Sequence, residues 1–430
     1  MDTITIPPIP KPVDATVEVP GSKSITNRAL LTAALADGKS ILTEALFSED
    51  TQIFAKCLRQ LGILVEEDPV AKIFRVQGQG GGLPAKHADL SVGNAGTAAR
   101  FITALVCLGK GGQFHFRGVE RMEKDRPIED LLKVLVSQGN KVIFDNQAGH
   151  MPYTIQSRGL PGGEINLEVG DTSQELSALL MTVPYAQSDT RIKLIGEQVS
   201  RSYIRTTKSI MEAFDISFEQ SGDTEFFVES GQRYKPRAFE IEPDASAASY
   251  FFAAAAVTGG RVRIPRLTKH SCQGDLGFTD ILARMGCKVK STGNYTEVVG
   301  PVCLQGADAD MNEISDTVQS LAAIAPFANS PTTIRNVAHI RKKETNRIRA
   351  VVKELRKMKV KVEEFNDGMK IYPGPVQPAR ICTYKDHRMA MSFAVTGLKV
   401  SGITIKNPGC VAKTFPDFFD RFIKLGKKSS

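Results

Sequence analysis

A short theme returns along this chain at nearly constant spacing: a stretch of helical apolar periodicity, a turn residue, then an alternating strand. It reads LRQLGILVEE at 58–67, LVSQGNKVIF at 135–144, MEAFDISFE at 211–219, LARMGCKVK at 282–290 and LRKMKVKVEE at 355–364. The turn positions are Gly62, Gly139, Asp215, Gly286 and Lys359, at intervals of 77, 76, 71 and 73 residues. A last helix ends similarly at Leu425-Gly426, 67 residues further on, without its strand. Glycine at three of the five turns suits a helix that ends through a left-handed residue. Recurrence of this kind implies one α/β supersecondary unit stacked on copies of itself. A chain of 430 residues is too long for one ordinary core, so six units divide into two domains of three.

The longest strongly apolar run, Tyr250 to Val257, is far shorter than the roughly 20 residues of a membrane span. The opening MDTITIPPIPKP lacks the basic-then-apolar pattern of a secretory signal. Seven cysteines are scattered and never spaced CxxC, which argues against a disulfide framework or a zinc site and for a reducing, cytoplasmic setting. The net charge of +8 fits either a solubility surplus or an anionic partner. With no Trp and 7% aromatics, the chain offers little platform for nucleic acid.

Many of the basic residues stand where helices begin. Pro20-Gly21-Ser22-Lys23-Ser24-Ile25-Thr26-Asn27-Arg28 leads into ALLTAAL, and the N–H groups of a helix start add to the charge of Lys23 and Arg28 as an anion cradle. It is not a Walker A loop, since Lys23 does not follow a glycine. Gly93-Asn94-Ala95-Gly96-Thr97-Ala98-Ala99-Arg100 enters FITALVCL, and Gly96 permits close approach to backbone. Pro127 is expected at a first helical position, with Arg126 extended before it. Asp171-Thr172-Ser173-Gln174 and Ser200-Arg201-Ser202-Tyr203 offer further polar entries, for which capping is the plain alternative.

The second half is denser. In Arg341-Lys342-Lys343-Glu344-Thr345-Asn346-Arg347, helical spacing predicts Lys343 and Arg347 on one face beside Glu344. Lys385-Asp386-His387-Arg388 precedes MAMSF, and Lys413 lies beside a helix introduced by Pro416. Asp316 reads as a helix cap or as something more. Related helix entries in stacked repeats would point toward a common place, suited to substrates that carry phosphates and carboxylates.

The segments GSKSITNRALL, GNAGTAAR, ERMEKDRPI, TSQELSALLM, KKETNR, YKDHRMAMSF and AKTFPDFF resemble, in order, the signatures of the 5-enolpyruvylshikimate-3-phosphate synthase family, from about Val19 to Phe418. The resemblance implies the two-domain enolpyruvyl-transferase fold, an α/β architecture of three βαβαββ repeats per domain with the active site in the interdomain cleft. One domain would hold residues 22–242 and the other 1–21 plus 243–430. It implies transfer of the enolpyruvyl group of phosphoenolpyruvate to the 5-hydroxyl of shikimate 3-phosphate by addition and elimination, with release of phosphate, no metal, no cofactor and glyphosate as an inhibitor. Carried over by position, Lys23, Gly96, Arg126, Gln174, Arg347, Arg388 and Lys413 would surround phosphoenolpyruvate. Lys23, Ser24, Arg28, Thr172, Ser173, Gln174, Ser200, Tyr203, Asp316 and Lys343 would meet shikimate 3-phosphate. Lys23, Asp316, Glu344 and His387 would be catalytic. The implied partners are the two small-molecule substrates, acting on a monomer without nucleic acid or membrane.

The chain departs from the family's usual pattern at a few positions. Asn346 stands for Asp, Thr172 for Ser, His339-Ile340 for Asn-Trp, and Ala99 and Phe101 for Met and Pro. Phe101 is expected to shift its helix against the Gly96 pocket. Two other readings compete. The related transfer to UDP-N-acetylglucosamine wants a reactive loop cysteine, and here no Cys lies between Cys107 and Cys272. A basic nucleic-acid-binding protein would explain the charge without chemistry.

Overall fold

A computed structural model describes residues 2–169 and 172–426. Asp171, grouped above with Thr172, lies outside the described residues. The chain divides into two compact units, Gly21–Ile241 and Met1–Pro20 with Glu242–Ser430.

Among the described residues each unit holds three small sheets built to one plan, a parallel pair followed by antiparallel strands. In Gly21–Ile241 the sheet His87–Ser91, Lys110–Arg117, Tyr153–Arg158, Lys141–Phe144 sets the pattern, its first pair parallel and the others antiparallel. Gly163–Glu168, Thr190–Ile195, Glu225–Val228 and Glu219–Ser221 repeat it. The remaining sheet begins with a strand from the far end of the segment, Ala238–Glu240, parallel to Asp37–Thr43. The other unit behaves likewise: Asp14–Thr16 pairs parallel with Arg261–Pro265, Asp308–Asp310 with Thr332–Arg335, and Arg380–Ile381 with Thr404–Lys406. Its last sheet is three-stranded among the described residues and is closed by Thr3–Thr5, antiparallel to Thr404–Lys406. The shared order is βαβαββ, because a parallel pair needs a crossover helix while the antiparallel pair needs only a short turn.

All five recurring turn residues take left-handed backbone: Gly62 at φ 84°, Gly139 at 90°, Asp215 at 64°, Gly286 at 97° and Lys359 at 63°. Each is followed by an edge strand of its sheet, Leu64–Asp68, Lys141–Phe144, Glu219–Ser221, Lys288–Ser291 and Val362–Phe365. The geometry therefore persists where the glycine does not. Lys359 is exposed, and its Cβ bears the steric cost of this conformation. Lys359→Gly is expected to stabilise the chain by about 0.5–1 kcal/mol, the relief of strain exceeding the entropy glycine adds to the unfolded chain. A thermal midpoint that falls in this variant would contradict that balance.

Each repeat contributes an inner and an outer helix. The inner ones, Lys23–Leu35, Gly96–Val106 and Gln174–Thr182 in one unit and Ala245–Thr258, Val318–Ile324 and His387–Gly397 in the other, are buried on nearly every side. Runs such as ASAASYFFAAAAVT, apolar all round and rich in alanine, suit a helix at the centre of a core. The outer helix Arg347–Lys357 alternates buried Ile348, Val351, Val352 and Leu355 with exposed charge. Among the described residues no helix is long and apolar enough to cross a membrane.

Candidate active site

In Gly21–Ile241 the inner helices bring their first turns together around Arg28. Its Nε donates to Thr207 Oγ1 at 2.8 Å, Nη1 to Ser24 O at 3.1 Å, and Nη2 to Ser177 Oγ at 3.1 Å and Tyr203 O at 3.3 Å. Its guanidinium also lies 5.4 Å from the Phe101 ring centroid and 5.9 Å from that of Tyr203. Four helices from three repeats thus meet at one buried cation, so the entries carrying Ser24, Gly96, Gln174 and Tyr203 share one end of the unit. A second clamp, Arg100, donates to Pro127 O at 2.6 Å and pairs with Glu175 at 3.5 Å.

Ser22 caps the first of these helices by accepting from Ile25 N, which presents Lys23 at the first helical position. Lys23 Nζ stands 3.7 Å from Asp50 Oδ2, with the lysine side chain 15% exposed. Arg126 is buried, its Nη1 donating to Asn94 O at 3.0 Å and Oδ1 at 3.2 Å. A Cβ on Gly96 would fall 2.2 Å from Arg126 Nη2, so glycine is what lets that guanidinium lie across the helix start. Thr172 Oγ1 accepts from Gln174 N at 3.1 Å, a capping contact, while Ser173 is buried. Ser200 is buried with φ 54°, immediately before the helix that carries Tyr203. Phe101 packs wholly inside, edge-on to Phe54 at 6.3 Å.

In the other unit the charges form one buried network. Arg347, 1% exposed, donates from Nε to Asp386 Oδ2 at 2.8 Å, from Nη1 to Asp316 Oδ1 at 2.9 Å and from Nη2 to Glu344 Oε2 at 2.8 Å. Arg388 Nη2 donates to Asp316 Oδ2 at 2.6 Å, and Nη1 to the Tyr250 hydroxyl at 3.2 Å. Asp386 caps His387–Gly397 by accepting from Arg388 N at 2.9 Å, and its Oδ1 lies 3.6 Å from His387 Nδ1. Lys413 is buried at the end of the short helix Pro408–Lys413. Asp275 is hydrogen-bonded to Ser246. Burial first, then the negative charge of Asp316, pushes its carboxyl up to about 7 against the pull of Arg388. The three inner helix entries again meet: Ser246 and Tyr250, Asp316, and His387 with Arg388.

Three local expectations are corrected. Lys343 and Glu344 are not helical neighbours of Arg347: Lys343 has ψ −148°, and the helix begins at Arg347 behind the N-cap Asn346. Asn346 Oδ1 accepts from Arg349 N at 3.1 Å, so the residue that departs from the family pattern terminates the helix as an aspartate also would. Glu344 still reaches Arg347, from the turn. Pro127 does not start a helix either; Ile128 is the N-cap and Glu129 the first helical residue, while Arg126 is extended at φ −125°, ψ 77°. Asp316 does not occupy a cap position, since Thr317 is the N-cap of Val318–Ile324.

Sequence reading assigned no role to Asp386, Ser246, Tyr250, Asp275, Asn94 or Asp50. Asp386 lay inside a motif already singled out, and Asp50 reads simply as an acid favoured in a first helical turn. Asp275 has no periodic signal at all. Among the described residues no group of His, Cys, Asp and Glu is arranged to hold a metal ion.

A family model described as EPSP synthase (3-phosphoshikimate 1-carboxyvinyltransferase) matches residues 7–422. The 3-phosphoshikimate 1-carboxyvinyltransferase of Trichormus variabilis is 60% identical over 425 residues, covering 99% of this chain and 99% of its own. That of Escherichia coli strain SMS-3-5 is 40% identical over 430 residues, covering 99% and 100%. Among solved structures, EPSP synthase from Acinetobacter baumannii aligns with a TM-score of 0.83 at 24% identity, over 98% of this chain and 97% of that one. The enolpyruvyl transferase NikO from Streptomyces tendae aligns at 0.74 and 16% identity, over 99% and 97%. At such identities the structural likeness concerns the fold alone.

Proposed function

The chain belongs to the EPSP synthase family, and we propose that its two clusters of helix-entry residues bind and activate the substrates of that family's reaction. It is an enzyme that transfers the enolpyruvyl group of phosphoenolpyruvate to the 5-hydroxyl of shikimate 3-phosphate and releases phosphate. The observation that best supports a chemical role for specific residues is the buried network of Arg347 and Arg388 with Asp316, Glu344 and Asp386. Buried salt bridges contribute little net stability, so this much buried charge at helix entries favours a functional use.

Phosphoenolpyruvate is a trianion, and Lys23, Arg126, Gln174, Arg347, Arg388 and Lys413, with Gly96 as a wall, supply the cations and donors that would hold its phosphate and carboxylate. Ser24, Arg28, Thr172, Ser173, Ser200, Tyr203 and Lys343, with Lys23, Gln174 and Asp316, would hold shikimate 3-phosphate. Arg28 does this chiefly by fixing the four helix starts, since its guanidinium is already bound to Thr207, Ser24, Ser177 and Tyr203. In the addition step Asp316 takes the proton of the 5-hydroxyl as that oxygen attacks C2, while Glu344 or Lys23 protonates C3. Loss of a C3 proton to the same group then expels phosphate, which the surrounding cations stabilise. His387, its Nδ1 3.6 Å from Asp386 Oδ1, would join these residues in catalysis. Both oxygens of Asp316 accept from guanidinium groups, so anion binding to Arg347 and Arg388 would release Asp316 for its work as a base. The same reading has the chain act in the cytoplasm, without nucleic acid or membrane, as a monomer, and sedimentation as a dimer would refute the monomer.

Asp316→Asn keeps the shape and loses the base, and kcat is expected to fall about a hundredfold or more. Because the Asp316 charge helps raise the Asp275 carboxyl, the same variant should lower the pH at which Asp275 ionises, as followed by carboxyl NMR. A kcat within threefold of the parent would remove Asp316 from the mechanism. Gly96→Ala places a methyl against the Arg126 guanidinium. The expected result is about a tenfold rise in KM for phosphoenolpyruvate with little change in fold stability, since the end of a side chain can shift while its aim cannot. An unchanged KM would show that Arg126 does not meet this substrate.

A further inference from the structure

On the outer side of the helix Arg347–Lys357 lies a cavity of about 440 Å³ lined by Arg341, Asn346, Arg349, Val352, Lys353, Arg356 and Glu364. Arg349, Lys353 and Arg356 follow one another at helical spacings of four and three, so they share a face and repel one another. The single acid of the lining, Glu364, is bound to Arg341 at 2.9 Å, and Arg341 is further tied to Asn346, Asn366 and Phe365. Arg356 has only the carbonyl of Val362 at 3.3 Å, and the side chains of Arg349 and Lys353 make no hydrogen bond or ion pair among the described residues. Three cations thus face one concavity without a counter-charge. Elsewhere on this surface arginines such as Arg261 and Arg335 have carboxylate partners.

We infer that this cavity binds a diphosphate-bearing small molecule. A diphosphate carries about three negative charges near neutral pH, matching the three uncompensated cations, and guanidinium groups hold phosphoryl oxygens in paired hydrogen bonds. The cavity can enclose a ligand on several sides, whereas its lining offers no aromatic ring on which a nucleic-acid base would stack. Asn346 lines it and also caps the helix that starts at Arg347, so the ligand would sit directly behind a residue of the buried network.

The test is calorimetric titration with pyrophosphate at low ionic strength, in saturating shikimate 3-phosphate, with the double variant below reporting any binding at the open phosphoenolpyruvate groups. The parent should bind, and the Arg349→Glu, Lys353→Glu double variant should bind at least about tenfold more weakly while turning over normally without pyrophosphate. These side chains are exposed, and of the introduced acids the one at 349 stands in the first turn of the helix, where negative charge is favoured, and the one at 353 three residues before Arg356, so the variant should fold about as well. ADP binding tighter than pyrophosphate would point to a nucleotide as the source, and equal or weaker binding to free diphosphate; each supports the site if the double variant loses it. Equal affinity in parent and variant, no binding by the parent, orthophosphate binding as tightly as pyrophosphate, or displacement of pyrophosphate by a short single-stranded oligonucleotide at lower phosphate concentration would each overturn the inference.

Discussion

Replacing Arg347 by methionine is expected to destabilise the chain by about 3–5 kcal/mol and to reduce turnover by about a thousandfold or more. The stability loss follows from what remains. Arg347 is 1% exposed and joins Asp386, Glu344 and Asp316, whose side chains are 0%, 8% and 19% exposed. Arg388 still reaches Asp316 and, through its backbone, Asp386, but Glu344 loses this partner and three carboxylates are left close together. Breaking a buried pair costs more than the pair itself contributed, because the surviving charge stays desolvated. Arg347→Lys should recover part of the stability and little of the activity: one ammonium cannot present the planar fork that serves three acceptors at once. Urea denaturation and phosphate release measure the two effects separately. A methionine variant as stable as the parent would mean that the cluster rearranges freely, and the cost assigned to its stranded carboxylates would be wrong.

Lys23→Met is expected to leave the fold nearly intact and to lower kcat by about ten thousandfold. The proposed lysine has two tasks, holding substrate charge and moving a proton, each typically worth a factor of about a hundred or more. Its Nζ stands 3.7 Å from Asp50 Oδ2, too far for a strong ion pair, and methionine nearly matches the length of the replaced side chain, so the thermal midpoint should move by a few degrees at most. Lys23→Arg keeps the charge but changes its reach, and it should remain badly impaired. Equal damage to stability and activity would place Lys23 among the structural residues instead.

The repeat was legible because it rests on local physics: apolar periodicity changes from helical to twofold across a turn, and the turn needs a left-handed residue. Even Lys359, which sequence preference disfavours there, takes with Asp215 the conformation that the spacing predicted. Helix boundaries were less legible. Pro127 and the Lys343–Arg347 spacing both suggested helix where the chain runs in turns, because Ile128 and Asn346 hold the true starts. The partners of the buried charges were hidden for another reason. Asp275 and Ser246 are separated by 29 residues within one repeat, and Tyr250 and Arg388 by 138 in two different repeats, so only the folded packing brings each pair together. Arg28 read as a substrate cation, and its burial and four acceptors, which tie together helices far apart in the chain, were not legible in the sequence.

The central claim is the transfer itself, and the most direct measurement is phosphate release from phosphoenolpyruvate with shikimate 3-phosphate or UDP-N-acetylglucosamine as acceptor. Release that requires shikimate 3-phosphate, with the acceptor gaining one enolpyruvyl group per phosphate freed, is the predicted result. Release only with the nucleotide sugar, or none with either acceptor from folded protein, would contradict it.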